Sequence, residues 1–290
     1  MKNYNVFIYR LYNKVTKFIS RSIFTMKKSL IIFILLICNN AFADKTYWEL
    51  GAGVTALNTA LYPGSDEDKN FVIPFPYFRI QSDNFEIDDG IRGFLFESPD
   101  LRINISGGLG VPVNSEDSTA RSGMPDLDTI LEIGPSLELI FSGGRKKPHE
   151  FRLELPLRTA FSTDLKSADN AGWLIEPRLT YETLRPFKTG WAYQVSTGLR
   201  YASDDYHAYY YDVPAAFATT ERNEYHADGG YSGAFVDLVG NWRQDDLIYF
   251  AFVRYQNLSG AAYEDSPLVD DTNYFSMGVG IMWIFAHSKN

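Results

Sequence analysis

Three shortages narrow the reading of this 290-residue chain: one cysteine, no acidic residue before position 44, and no long apolar run after it. The cysteine, Cys38, falls in an N-terminal targeting segment, so the chain beyond it needs no disulfide framework. Past Asp44 no apolar stretch approaches the roughly 20 residues that a membrane-spanning helix needs. That removes a helical bundle from consideration but not a barrel, which crosses with strands. Residues 1–43 carry Lys2, Arg10, Lys14, Lys17, Arg21, Lys27 and Lys28. Without these seven, 20 basic residues face 36 acidic ones, a net charge of about −16. So acidic a chain does not suit nucleic acid, and none is expected as a partner.

Sites with a recognisable spacing are also scarce. The four histidines, His149, His207, His226 and His287, show no tight metal-ligand pattern. His207 and His226 share a loop with Asp204, Asp205, Glu221, Glu224 and Asp228, which reads as a solvated acidic loop. Ser203 and Ser232 lie close to these histidines in sequence, but spacing alone does not build a triad. Gly107-Gly108-Leu109-Gly110 lacks the lysine and following helix of a phosphate loop. No catalytic, cofactor-binding or metal-binding residue is expected, and no cofactor.

The N-terminus has the grammar of export. Met26-Lys27-Lys28 precedes a short apolar run, residues 29–37, and an Ala41-Phe42-Ala43 site. Cleavage is expected between Ala43 and Asp44, with translation starting at Met26 and a barrel domain over 44–290. Bulky Ile37 before Cys38 argues against a lipoprotein site.

What the chain has is aromatic residues, 16% of the total with 19 Tyr and 21 Phe, and alternation of period two. In Phe275–Phe285, Phe275, Met277, Val279, Ile281, Trp283 and Phe285 share one face, while Ser276, Gly278 and Gly280 lie on the other. Similar segments are Tyr47–Leu57, Phe71–Ile80, Phe85–Glu97 (interrupted at Asp88-Asp89-Gly90), Leu101–Val113, Leu127–Phe141, Phe151–Phe161, Trp173–Glu182, Trp191–Tyr201, Ala234–Trp242 and Leu247–Leu258. Pro74 and Pro76 predict a bulged or one-sidedly paired second strand.

Strands of about ten residues, apolar on one face and polar or charged on the other, predict an antiparallel transmembrane β-barrel in outer-membrane lipid. A soluble sandwich would share the alternation. Trp173, Tyr181, Trp191, Tyr201, Trp242 and Trp283 near the segment ends favour interfacial girdles.

Eleven segments are legible where an even number is expected, which predicts about twelve strands, with ten the alternative. If Phe85–Glu97 is two short strands, the long loops 58–70, 114–126, 163–171, 203–232 and 259–273 share one side. If Tyr206–Val213 is the missing strand instead, the early loops change sides. On the polar faces, Arg102, Glu132, Glu138, Arg152, Glu154, Arg158, Glu176, Arg178, Glu182 and Arg200 would meet in the lumen as a cross-strand charge network.

Several motifs add a family resemblance over residues 47–285. They are Tyr62-Pro63-Gly64-Ser65-Asp66, Ile73-Pro74-Phe75-Pro76-Tyr77, Gly123-Met124-Pro125-Asp126-Leu127 and Glu132-Ile133-Gly134-Pro135. Tyr209-Tyr210-Tyr211-Asp212-Val213, Gly229-Gly230 and Ser266-Pro267-Leu268-Val269 follow in order. Together they resemble the MipA/OmpV family of outer-membrane proteins. The resemblance implies a barrel tied to peptidoglycan remodelling, a scaffold between a murein transglycosylase and a murein synthase rather than an enzyme. A narrow channel for small solutes is the first alternative reading, and a barrel enzyme acting on lipid or cell wall the second.

Overall fold

The computed structural model describes residues 46–288 apart from 82–85, 88–93, 145–146, 165 and 184–188. The expected processing site at Ala43 and Asp44, and the start at Met26, lie outside the described residues. Of the two compact units, Met1–Thr46 and Tyr47–Asn290, the second holds all the described strands.

Among the described residues thirteen strands form one antiparallel sheet. They are β1 (Tyr47–Ala60), β2 (Asp68–Gln81), β3 (Glu86–Ile87), β4 (Phe94–Glu97), β5 (Leu101–Gly110), β6 (Thr129–Gly143) and β7 (His149–Thr163). Then come β8 (Ala168–Ile175), β9 (Arg178–Thr183), β10 (Thr189–Ala202), β11 (Gly230–Gln244), β12 (Leu247–Asn257) and β13 (Asn273–His287). β8 and β9 are one pass, since both pair with β7 and β10. The break falls at Glu176-Pro177, where proline supplies no N–H to a ladder. Counting β8 and β9 once, the described residues form a barrel wall of twelve strands, with β1 paired against β13 and the short β3 and β4 at the two ends of the hydrogen-bonded order.

The short segment β3–β4 is what makes the count even. β3 pairs with β2 and β4 with β5, so the chain reverses between them. Tyr206–Val213 is not a strand: Asp204–Tyr211 is a helix, α1, capped by Ser203. This corrects the alternative assignment. Three hydrophilic residues, Ser203, Asp204 and Asp205, supply an N-cap and acidic first turn that outweigh the strand preference of the tyrosines. The expected long loop 163–171 is also shorter: β7 runs to Thr163 and β8 starts at Ala168.

With these directions, loops 61–67, 111–128, 203–229 and 258–272 emerge at one end. Ser98–Asp100 and Asp245-Asp246 turn at the other. The outer face is apolar. Among the described residues 28 large apolar side chains are prominently exposed, all on strands and turned away from the lumen. So continuous an apolar surface is far beyond what a protein shows to water, which decides against a soluble sandwich.

Aromatic pairs on neighbouring strands mark two levels. Tyr201 meets Tyr231 (5.6 Å between ring centroids) and Tyr255 meets Phe275 (5.1 Å) near the long-loop end. Trp191 meets Trp242 (5.1 Å) and Phe141 meets Phe151 (5.5 Å) near the short turns. From Trp191 to Tyr201 a tilted strand rises roughly 25 Å, the height of an apolar membrane band.

β2 pairs with β1 along its whole length without a register shift. Its far edge meets β3 only at Ile80 and Gln81. β5 meets β4 only from Arg102 to Asn104. Among the described residues no strand covers the far edge of β2 from Asp68 to Pro76, or that of β5 from Ile105 to Gly110. The prolines explain the side. Val54 and Ala56 turn their carbonyls toward β13, so Val54 and its partner Pro74 do not exchange hydrogen bonds. Pro74 and Pro76 therefore aim their missing N–H groups at the open edge.

Candidate functional site in the lumen

The inward side chains fall into three layers. Nearest the short turns, charges fill the interior. Arg102 donates from Nη1 to Glu138 (2.7 Å) and grips Glu150 with both Nη atoms (2.9 Å each). Arg152, wholly buried, meets Glu150 (3.0 Å), Glu154 (3.0 Å) and Glu182 (2.8 Å). Glu138 and Glu154 stand directly opposite each other on β6 and β7, an unfavourable pair on its own. Arg102 and Arg152 offset that repulsion.

Across the lumen, Arg243 on β11 meets Glu49 on β1 (2.6 Å), and the Tyr77 hydroxyl donates to the same carboxylate (3.0 Å). Ile248, Met282 and Ile284 pack beside them. The side chains just named are buried, except that Glu182 is half-buried, so this end is filled.

At the opposite end the loops fold inward as a cap with an apolar core. Leu61 and Tyr62, Val113 and Met124, the α1 tyrosines, and Leu258, Tyr263 and Leu268 come together there. Tyrosine hydroxyls tie one loop to the next. Tyr62 donates to the Leu268 carbonyl (2.9 Å), Tyr211 to Pro63 (2.8 Å), Tyr209 to Asp128 (2.9 Å) and Tyr263 to Ser232 (3.0 Å). Tyr211 and Tyr263 stack at 3.7 Å. Arg121 is buried between the loops and donates to the carbonyls of Tyr210 (3.0 Å) and Pro125 (3.1 Å). Its burial lowers its proton affinity below the ordinary arginine range.

His207 lies inside this cap, fully buried. Its Nδ1 faces the Asp228 carbonyl (2.6 Å) and its Nε2 the Ser232 hydroxyl (2.6 Å). A carbonyl only accepts, so the proton sits on Nδ1 and Ser232 donates to Nε2. This is a serine–histidine contact that sequence spacing could not establish. Ser232 is only 5% exposed and the tyrosine stack covers the pair, so it serves the cap's packing. Burial pulls the imidazole below its ordinary pKa range, with Arg200 adding to the effect. His226 is exposed, beside Asp212 and Glu224. Among the described residues no three His, Cys, Asp or Glu side chains converge as metal ligands.

Between the filled ends lies a middle layer. Glu176, buried, is contacted by Arg178 (3.2 Å), Arg200 (2.5 Å) and Arg254 (3.5 Å). Arg254 also meets Asp237 at 3.2 Å. Arg158 meets Glu132 (3.2 Å), and Glu132 accepts from the Tyr206 hydroxyl of α1 (2.9 Å), joining wall to cap. Facing these charges, Phe71, Ile73, Phe75, Phe250 and Phe252 line the inner side of β2 and β12, half-buried. Their rings lie over glycines: a Cβ on Gly53 would meet Phe75 at 2.4 Å and one on Gly280 would meet Phe250 at 2.3 Å. Inward side chains that remain partly exposed mark space in the lumen at this level.

All ten charged residues read from the central strands make ion pairs in this interior, in two groups: one runs from Arg102 and Arg152 through Glu154 and Arg178 to Glu176 and Arg200, and the other is Arg158 with Glu132. Sequence reasoning missed Glu49, Asp237, Arg243 and Arg254. Their period-two phase, on the same face as the inward glycines and serines of β1 and β13, would have found them.

The family model of "MltA-interacting protein MipA" matches residues 50–285. Outer membrane protein OmpV of Vibrio cholerae serotype O1 is 25% identical over 286 residues, covering 90% of this chain and all of that protein. Among solved structures, the NanC porin aligns over 80% of this chain and 98% of its own, with 9% identity and a TM-score of 0.37. The CymD monoaromatic hydrocarbon channel aligns over 83% and 89%, with 11% identity and a TM-score of 0.32. With strands, an apolar outer band and a family match along almost the whole barrel, the chain belongs to the MipA/OmpV family and is an outer-membrane β-barrel.

Proposed function

We propose that this barrel is a platform rather than a conduit or an enzyme, holding murein-processing enzymes at the periplasmic side of the outer membrane. The partners are a murein transglycosylase and, through it, a murein synthase. Two things support the reading. The family description speaks of interaction with MltA. The observation that carries it is the filling of both ends of the lumen, by the Arg102–Arg152 charge layer and by the tyrosine cap. A barrel plugged twice spends its surface on contact, not transport.

The test is in-cell photocrosslinking from a residue analogue at Asp246, in the short turn between β11 and β12. Enrichment of murein transglycosylase peptides is the expected result. Their absence, with the barrel present at normal level, overturns the platform reading.

The half-buried middle layer favours the narrow channel as the second reading. Planar-bilayer recordings separate the two: a platform gives no unit conductance, and discrete steps support the channel.

A further inference from the structure

We infer that the outer wall of the barrel carries a seat for one phospholipid acyl chain of the periplasmic leaflet, in a hollow on β10, β11 and β12 floored by Gly240 and Ala251. Three observations carry this: the register of the strands, the freedom around Gly240, and the chemistry and depth of the rim.

The register makes the hollow. On the lipid-facing side Gly240 of β11 stands between Tyr193 of β10 and Ala251 of β12, directly paired with each. One outward row nearer the short turns, Trp191, Trp242 and Tyr249 stand side by side. One row farther from them, Val195, Leu238 and Val253 do the same. Val279 of β13 closes the row beyond Ala251. Two residues with almost no side chain are thus ringed by large ones. The wall sinks there into a hollow of about 500 Å³, a volume in the range of small-molecule sites.

The packing of the wall does not require this glycine. A Cβ at Gly278 or Gly280 of neighbouring β13 would meet Phe252 at 2.5 Å or Phe250 at 2.3 Å, so those glycines make room for rings of the chain itself. A Cβ at Gly240 would meet nothing within 4 Å. Glycine weakens a strand and marks places where something else comes close to the backbone. At Gly240 the room it leaves opens outward.

The rim selects the occupant. Among the described residues lining the hollow none is charged. The ladders on both sides of β11 run without a shift past Gly240, so the sheet uses the backbone groups beneath the hollow. Nothing there calls for a hydrogen bond, and the matching ligand is hydrocarbon. Gly240 lies two residues, roughly 7 Å of strand, from Trp242 at the short-turn aromatic level. Short turns are the periplasmic ends of such barrels, which sets the hollow at the chains of the periplasmic leaflet. Within lipid the hydrophobic effect favours no contact over another, and packing decides. A chain in the hollow touches Tyr193, Trp242, Tyr249, Leu238 and Val253 on several sides, where a flat wall would touch it on one. The hollow is continuous with the lipid-facing band. A second barrel, convex like the first, could reach into it only with one side chain, whereas an acyl chain can lie along it.

The full chain in dioleoyl-phosphatidylcholine vesicles would be photolysed with a trace of phosphatidylethanolamine carrying a diazirine midway along one acyl chain, and the adducts mapped by peptide. They should concentrate on residues 191–195, 238–242 and 249–253, above the outer faces of the other strands. The same labelled chain on phosphatidylglycerol should give the same map. Gly240→Leu should bring these adducts down to the level of the other strands. Ala251→Leu should do so too, and it carries the test if Gly240→Leu yields no heat-modifiable barrel. Val236→Leu, on the same strand and face beyond the hollow, should leave them in place. Adducts spread evenly around the barrel, adducts unchanged in the filled variants, or a map that follows the head group overturns the seat. Disulfide dimers formed quantitatively by a Leu238→Cys variant in the same vesicles would put a second copy there and overturn it as well. None of these outcomes depends on whether the barrel holds a murein enzyme.

Discussion

Arg152 is surrounded by Glu150, Glu154, Glu182 and, at 3.8 Å, Glu138, with none of its side chain open to solvent. Such a group contributes little as a net gain, because desolvation offsets most of the attraction. Its removal is another matter. Arg152→Met would leave several buried carboxylates facing one another and should cost about 3–5 kcal/mol. The urea midpoint at which unboiled protein shifts to its boiled gel mobility measures this. An unchanged midpoint would mean that the layer is not a stabilising network.

His207 makes a different residue-scale case. Its folded pKa lies below the unfolded value of about 6.5, so the unfolded cap binds the extra proton more readily. The contribution of His207 is therefore full above that value and declines as pH falls through it toward the depressed folded pKa. Asp204 on α1, the Asp228 carbonyl and Arg200 on the wall set the imidazole's field, and only Arg200 and burial oppose its charge. Hydrogen exchange of residues 203–232 should accelerate between pH 7.5 and 5 in the native protein and much less in His207→Asn.

At the scale of elements, legibility followed the range of the interactions that decide each one. The period two of Phe275–Phe285 is set by which face meets lipid, a property of every second residue, and β13 carries it without interruption. The same phase put the ten charges inward. Pro74 and Pro76 predicted a bulged or one-sidedly paired strand in β2; the ladder with β1 carries no bulge, and it shows which side is left unpaired among the described residues. The cap was not legible. Tyr209-Tyr210-Tyr211 reads as strand by preference, and its helix exists because Ser203 caps it and three loops distant in sequence pack around it. Ser203 Oγ accepts from the N–H groups of both Tyr206 (3.3 Å) and Trp173 (3.1 Å). Ser203→Ala should thus cost about 1 kcal/mol in local stability. Faster exchange at Tyr206 to Tyr211, with the barrel's gel shift unchanged, is the expected outcome.

For the whole molecule, the governing asymmetry is between an outer face that sorts by depth in lipid and an inner face that sorts by charge partner. The two faces of one strand can be set against each other. On β13, Val279 is exposed midway between Phe275, at the long-loop aromatic level, and Trp283, at the short-turn level. An arginine at the bilayer midplane costs about 2–4 kcal/mol, falling to roughly 0–1 near an interface. Val279→Arg should therefore destabilise the barrel several-fold more, in free energy, than Phe285→Arg on the same face. If water rather than hydrocarbon covered this surface, both changes would expose a charge where solvent already stands, and both would be near neutral. Equilibrium unfolding of the two variants in lipid vesicles, compared with the parent, reads the difference. A graded cost with depth follows from a membrane-spanning wall and from no arrangement in which the apolar faces pack on protein, because a packed core would penalise both arginines heavily.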